Sequence, residues 1–182
     1  AGFLTGSSPD QNLAFLKGSD GGHILLPPHA VADRFNRLML EEIQAEQYFT
    51  MVFAVVDRAA GRLSFVQAGH PHPMIVRPSG QVVRLGGGGL PVGLLPDATH
   101  VTCEVPISPG DRLVLVSDGI TESPCLSGED FGEAGLADSL ARSARLSGAD
   151  LLEALVWDLG QAAGTTSFPD DVSGIVLDMK SD

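Results

Sequence analysis

Two cysteines, Cys103 and Cys125, are the only thiols in this chain of 182 residues. They form no CxxC pair and no ligand pattern surrounds them. That argues against a disulfide framework and a zinc site, and a reducing cytoplasm is the expected compartment. Aromatic residues are scarce, at 5%, so the core has to be built from Val, Leu, Ile and Ala. Bases are few as well: 11 Lys and Arg stand against 23 Asp and Glu, for a net charge of -12. Such a surface repels a phosphate backbone, which argues against a nucleic-acid partner, yet suits carboxylates gathered around a divalent metal. No continuous apolar run approaches the roughly 18 residues of a membrane-spanning helix. The first nine residues lack the basic-then-apolar layout of a signal peptide.

What is present is an ordinary globular mixture, 43% hydrophobic and 19% charged, in a length that suits one domain with a substantial core. Residues 1–26 read as a poorly defined N-terminal segment or linker. Leu13, Phe15 and Leu16 suit a short helix there, and Gly18-Ser19-Asp20-Gly21-Gly22 a flexible connector. After Pro27-Pro28, the residues Val31, Phe35, Leu38, Met39 and Ile43 recur at helical spacing, with Asp33, Arg34, Arg37, Glu41 and Glu42 opposite them. Residues 49–57 and 62–69 are strand-like and flank the short turn Asp57-Arg58-Ala59-Ala60-Gly61, which predicts a β-hairpin. Further strands are expected at 73–77, 81–85, 99–105 and 112–117, helices at 131–145 and 149–162, and a last strand at 172–178. In the second of these helices, Leu151, Leu152, Leu155, Val156 and Leu159 mark the expected buried stripe. Hairpin-linked strands with helices gathered late predict an α+β layered fold of mostly antiparallel sheets.

Three segments could carry chemistry. The apolar strand of Gly110-Asp111-Arg112-Leu113-Val114-Leu115-Val116-Ser117-Asp118-Gly119 ends on a carboxylate, followed by a glycine that permits a sharp turn. Asp118 there is either a metal ligand fixed by its strand or a residue capping its own turn. Pro169-Asp170-Asp171-Val172-Ser173 sets two carboxylates just before another strand, and alternation lets only one of them reach a given site. A solvated acidic turn is the competing reading. If a sheet brings the two segments together, their hard oxygen ligands suit Mg²⁺ or Mn²⁺ rather than zinc. The third segment, Ala68-Gly69-His70-Pro71-His72-Pro73, has no third ligand and reads as a structural corner, with His70 bonded to backbone. Gly86-Gly87-Gly88-Gly89-Leu90-Pro91-Val92-Gly93 lacks the Lys and Ser/Thr of a P-loop and reads as a flexible surface loop. Spacing supports no Ser-His-Asp or Cys-His arrangement, so no catalytic side chain is assigned.

In order, Asn36-Arg37, Phe49-Thr50, Asp57 to Leu63, Ala68 to Pro73, Gly89 to Gly93, Pro109-Gly110-Asp111, Ser117 to Glu122 and Asp170 to Ser173 resemble the PPM, or 2C-type, serine/threonine protein phosphatases. The resemblance covers about residues 28–180 and is strongest to the bacterial branch of stage II sporulation E and the stress-response phosphatases. It implies two mostly antiparallel sheets flanked by helices, with two Mn²⁺ or Mg²⁺ ions held by Asp carboxylates and waters. A metal-activated water then attacks phosphoserine or phosphothreonine in line, without a covalent enzyme intermediate. Asp118 and Asp170 fall on metal-ligand positions. Gly119 shapes the turn, and Asp171 is a secondary candidate.

The family's Gly-Asp strand and Gly-Asp-Val-x-Gly-His-Gly segment, which supply the other ligands, are not found in this sequence. Asp10, Asp20 and Gly21-Gly22-His23 do not replace them. The expectation is therefore residues 27–182 as the C-terminal part of a 2C-type domain, incomplete at its N-terminus through truncation or degeneration. By resemblance, the parent is a signalling regulator of the response-regulator type with an upstream receiver or sensory domain, and its substrate is a phosphorylated anti-sigma factor antagonist. A pseudophosphatase that binds a protein partner without chemistry is the alternative.

Overall fold

The computed structural model describes residues 13–18, 21–43 and 47–180. The side chains of Glu42 and Ile43, and all of Asp10 and Asp20, lie outside the described residues. The chain divides into two compact units, one of residues 1–70 with 88–106 and one of residues 71–87 with 107–182.

In the first unit, β1 (Phe15–Lys17) pairs antiparallel with β2 (His23–Leu25), Phe15 opposite Leu25. The expected helix at Leu13, Phe15 and Leu16 is thus a hairpin, with Gly18, Gly21 and Gly22 of the expected connector lying between its strands. Three apolar residues in four cannot distinguish one turn of helix from a short strand. Here backbone pairing decides, extended by the Leu26 amide donating to the Ala14 carbonyl. The Arg34 guanidinium donates to the carbonyls of Leu13 and Phe15, tying the hairpin to α1 (Pro28–Leu38).

That helix starts where proline is tolerated, at its first position, where no intrahelical amide is needed. It buries Val31, Ala32, Phe35 and Asn36 and passes into a π-helical turn at Met39–Ile43. A three-stranded antiparallel sheet completes the unit, in the order β3 (Met51–Asp57), β4 (Arg62–Ala68), β7 (Thr102–Pro106). The β3–β4 turn is the expected one: the Ala60 amide donates to the Asp57 carboxylate, and Gly61 has φ 60°.

The second unit is a four-stranded antiparallel sheet in the order β6 (Val82–Arg84), β5 (Met74–Val76), β8 (Arg112–Val116), β9 (Gly174–Asp178). Helices α3 (Gly132–Arg142) and α4 (Gly148–Ala163) pack with it. Alternation along the strands sends Met74, Val76, Val114 and Val116 into one core with Ile120, Leu136, Leu140, Leu151, Leu155 and Leu159. A fully buried leucine of this kind contributes about 2 kcal/mol of transfer free energy.

α4 starts on Ser147, whose side chain accepts from the Asp150 amide, and ends on left-handed Gly164 at φ 67°. Its stripe departs from expectation at one place. Val156 is 42% exposed, whereas Leu151, Leu155 and Leu159 are buried. Leu151, Leu155 and Leu159 are four residues apart and share a face; Val156 lies about 100° further round the helix than Leu155.

Candidate metal centre

β8 delivers Ser117 and Asp118 at its end, and the chain turns at once into the single helical turn α2 (Asp118–Thr121). The start of β9 is preceded by Asp170-Asp171-Val172-Ser173. The sheet pairs β8 with β9 in a register that sets Val116 opposite Gly174. Continuing that ladder by one step brings the two acidic motifs together, although more than fifty residues separate them.

Ser117 makes the junction. Its amide donates to the Ser173 carbonyl at 2.9 Å. Its hydroxyl donates to the Asp171 carbonyl at 2.8 Å and accepts from the Ser173 amide at 3.0 Å. A serine at a helix N-cap ordinarily turns its oxygen to the helix's own amides, but this one makes no such bond and reaches across to the neighbouring strand.

Gly119 is buried in the same contact. A Cβ at that position would stand 2.4 Å from the Asp171 carbonyl oxygen and 2.9 Å from its carbon. Its φ is unexceptional, so glycine is needed here for space rather than for a left-handed turn.

Asp118 and Asp170 behave alike. The Gly119 amide donates to Oδ1 of Asp118 at 3.1 Å, and the Asp171 amide donates to Oδ1 of Asp170 at 2.7 Å. Each carboxylate thus turns one oxygen back on the next residue, leaving its second oxygen for a further partner. Asp118, Asp170 and Asp171 are all exposed. Their hard, anionic oxygens fit Mg²⁺ or Mn²⁺ in donor chemistry. Their number does not complete a site, because no group of three or more His, Cys, Asp or Glu able to hold a metal occurs among the described residues.

The remaining segments resolve as structure. Gly69 has φ 71°, and a Cβ there would meet Pro91 at 2.5 Å, so the corner requires glycine twice over. In the same corner His72 Nδ1 lies 2.8 Å from the Leu85 carbonyl. The His70 carbonyl accepts from Gln67 Nε2.

The glycine-rich segment is not a free surface loop where it runs through the first unit. The Gly88 amide donates to Gln67 Oε1, the Gly69 amide to the Gly89 carbonyl, and Phe49 and Val92 exchange both backbone bonds. Gly93 donates to Asn36 Oδ1 at 2.7 Å, while Asn36 Nδ2 donates to the Leu95 carbonyl. Sequence reasoning missed the holding roles of Ser117 and Asn36. The one signal for Asn36 is an amide side chain on the apolar side of a helix, between Phe35 and Leu38.

A family model described as stage II sporulation protein E (SpoIIE) matches residues 13–180. Protein IcfG of Synechocystis sp. is 30% identical over 132 residues, 71% of this chain and 20% of IcfG. The phosphoserine phosphatase RsbU of Bacillus subtilis is 27% identical over 96 residues, 52% of this chain and 29% of RsbU. Among solved structures, the SiaA-PP2C domain of Pseudomonas aeruginosa superposes with a TM-score of 0.71 at 24% identity, covering 84% of this chain and 61% of that one. The phosphatase domain of SpoIIE from Bacillus subtilis, presoaked with Mn, gives 0.63 at 19% identity, covering 84% and 65%. The chain therefore spans less than two-thirds of each of these relatives. At such identities the structural likeness establishes a shared fold.

Proposed function

The chain belongs to the stage II sporulation protein E family and has the 2C-type phosphatase fold, and from that membership we propose that it is the C-terminal part of a metal-dependent serine/threonine phosphoprotein phosphatase domain. Asp118 and Asp170 hold divalent metal in this reading, Asp171 is a secondary ligand candidate, and Gly119 shapes the turn. The observation that carries it is the Ser117 junction, which fixes the two acidic strand ends side by side.

Mn²⁺ or Mg²⁺ in such a centre supplies an activated water and neutralises phosphoryl oxygens. The part played by this chain is to hold two carboxylates rigidly. Ser117 locks β8 to the segment before β9, Gly119 lets the backbones close up, and the two adjacent amides orient one oxygen of each carboxylate. Anchoring of the segments that carry the ligands is what a preorganised site requires.

The proposed substrate is a phosphorylated anti-sigma factor antagonist, and the proposed setting a bacterial signalling regulator of the response-regulator type with an upstream receiver or sensory domain. The phosphoserine phosphatase RsbU among the relatives supports a phosphoprotein substrate. A cytoplasmic location accords with this setting, and no helix among the described residues is long and apolar enough to cross a membrane.

The test uses the full-length protein and a phosphoserine protein substrate. Asp118→Ala and Asp170→Ala are each expected to abolish Mn²⁺-dependent phosphate release, and undiminished turnover in both variants sinks the assignment. One observation favours a second reading, a pseudophosphatase that docks a partner: no complete ligand group lies among the described residues. Under that reading partner binding survives both substitutions and the addition of chelator.

A further inference from the structure

Trp157 is the only tryptophan of the chain, and it is 68% exposed on α4. Burying this side chain in the unit's core would have been favourable, yet Leu151, Leu155 and Leu159 fill the core and Trp157 faces out. With Glu153, Val156, Gly160, Gln161 and Gly164 it forms an outward stripe at helical spacing. Thr165 and Thr166 close the far end of a groove of about 700 Å³. Leu126, 79% exposed, stands against Gly164 beside the groove.

The electrostatics of this groove have one sign. Glu153 is exposed within it, and among the described residues no Lys or Arg lines it. The groove lies along the C-terminal half of a 16-residue helix whose last turn carries no base, so the negative end of the helix dipole is uncompensated there. Between Gly148 and Lys180 the acids are Asp150, Glu153, Asp158, Asp170, Asp171 and Asp178, and the only base is Lys180. Arg142 neutralises Asp158 from α3, outside the groove.

We propose that this groove docks a basic, amphipathic segment of a partner protein, with an apolar side chain set against Trp157 and Val156 and separate Lys or Arg side chains directed at Glu153 and at the helix end. Tryptophan is enriched, with Tyr and Arg, among the anchor residues of binding interfaces, and its ring face attracts a cation directly. A second copy of this chain would bring two acidic faces together at a net charge of -12 each. An anionic membrane surface would be repelled in the same way. The inference is independent of the phosphatase reading, since none of these residues belongs to the proposed metal centre.

The single tryptophan is also the probe. The chain is titrated with a Lys/Leu amphipathic helical peptide, with the same peptide carrying Gln for Lys, and with anionic phosphatidylserine vesicles, while tryptophan emission is followed. The expected result is a saturable blue shift with the Lys peptide and at least tenfold weaker binding of the Gln peptide. Glu153→Lys is expected to weaken binding about tenfold. Asp97→Lys, an equal charge change at an exposed loop position of the other unit, should change it less than twofold. Trp157→Ser, followed by calorimetry, should also lose about tenfold, with circular dichroism confirming that both exposed-site variants stay folded. The proposal is overturned by equal binding of the two peptides, by equal effects of Glu153→Lys and Asp97→Lys, by a shift with vesicles alone, by a shift produced merely by raising the protein concentration, or by no shift.

Discussion

Gly119 sits against the backbone of Asp171 so closely that a methyl group on it would stand 2.4 Å from the Asp171 carbonyl oxygen. This contact joins the end of one strand to the approach of another and brings two acidic motifs into one place. The spacing of that place is set by a missing side chain.

Gly119→Ala is therefore expected to force the two strand ends apart. Overpacking of this kind typically costs about 1–3 kcal/mol, and the clash is with backbone, which cannot rotate away. Thermal denaturation of the variant checks it. A melting temperature equal to that of the parent would show that the approach is looser than described.

Ser117→Ala removes the hydroxyl that donates to the Asp171 carbonyl and accepts from the Ser173 amide. The backbone bond from Ser117 to the Ser173 carbonyl remains, so the sheet persists. The expected loss is about 1–2 kcal/mol of stability, together with weaker Mn²⁺ binding than in the parent. Denaturant titration and calorimetry measure the two effects separately.

Mn²⁺ titrated into the chain should bind through Asp118 and Asp170, and Asp118→Ala should abolish the heat signal. Binding that is unaltered in the variant would place any metal elsewhere.

Asn36 is only 4% exposed and serves both the Gly93 amide and the Leu95 carbonyl. Asn36→Leu leaves the half-buried Gly93 amide without its partner, while the carbonyl of Leu95, which is 48% exposed, can turn to water. We expect a loss of about 1–3 kcal/mol by equilibrium unfolding, with faster hydrogen exchange at Gly93 than at Val66 in the neighbouring sheet.

Asp158 gives the pH dependence. Burial raises its pKa, but the hydrogen bond from Ser139 and the charge of Arg142 outweigh burial and hold it below the usual value. A carboxylate with a depressed folded pKa stabilises the fold above its unfolded pKa of about 3.9. That contribution fades as the pH falls through the folded value. Asp158→Asn should thus be less stable than the parent at pH 7, with the gap closing below about pH 4. Arg142 is 62% exposed, so solvent screening keeps its share of the gap under about 1 kcal/mol. Chemical denaturation at a series of pH values reads the difference directly.

Much of this was legible from local pattern. β-Branched and aromatic residues on either side of the short turn Asp57–Gly61 specify the β3–β4 hairpin without reference to the rest of the chain. The four-residue recurrence of Leu151, Leu155 and Leu159 likewise specifies α4. Strand character before Asp118 and after Asp171 was visible in the same way, because periodicity depends on neighbours in sequence. Where a segment is short, pattern gives no answer: Leu13, Phe15 and Leu16 suit a helical turn as well as the strand that Phe15 and Leu16 enter.

Contacts between distant segments were beyond reach for a different reason. That Ser117 would bond to Asp171 and Ser173, or that Asn36 would hold Gly93 and Leu95, depends on which strands pair and in what register. Register is a property of the whole sheet and its packing, to which no single segment has access. The residue types at Asp118, Gly119, Asp170 and Asp171 were set by the chain itself. Their assembly into one acidic junction, the pinning of the glycine-rich loop and the outward turn of Val156 and Trp157 came from how the folded elements fill space against each other.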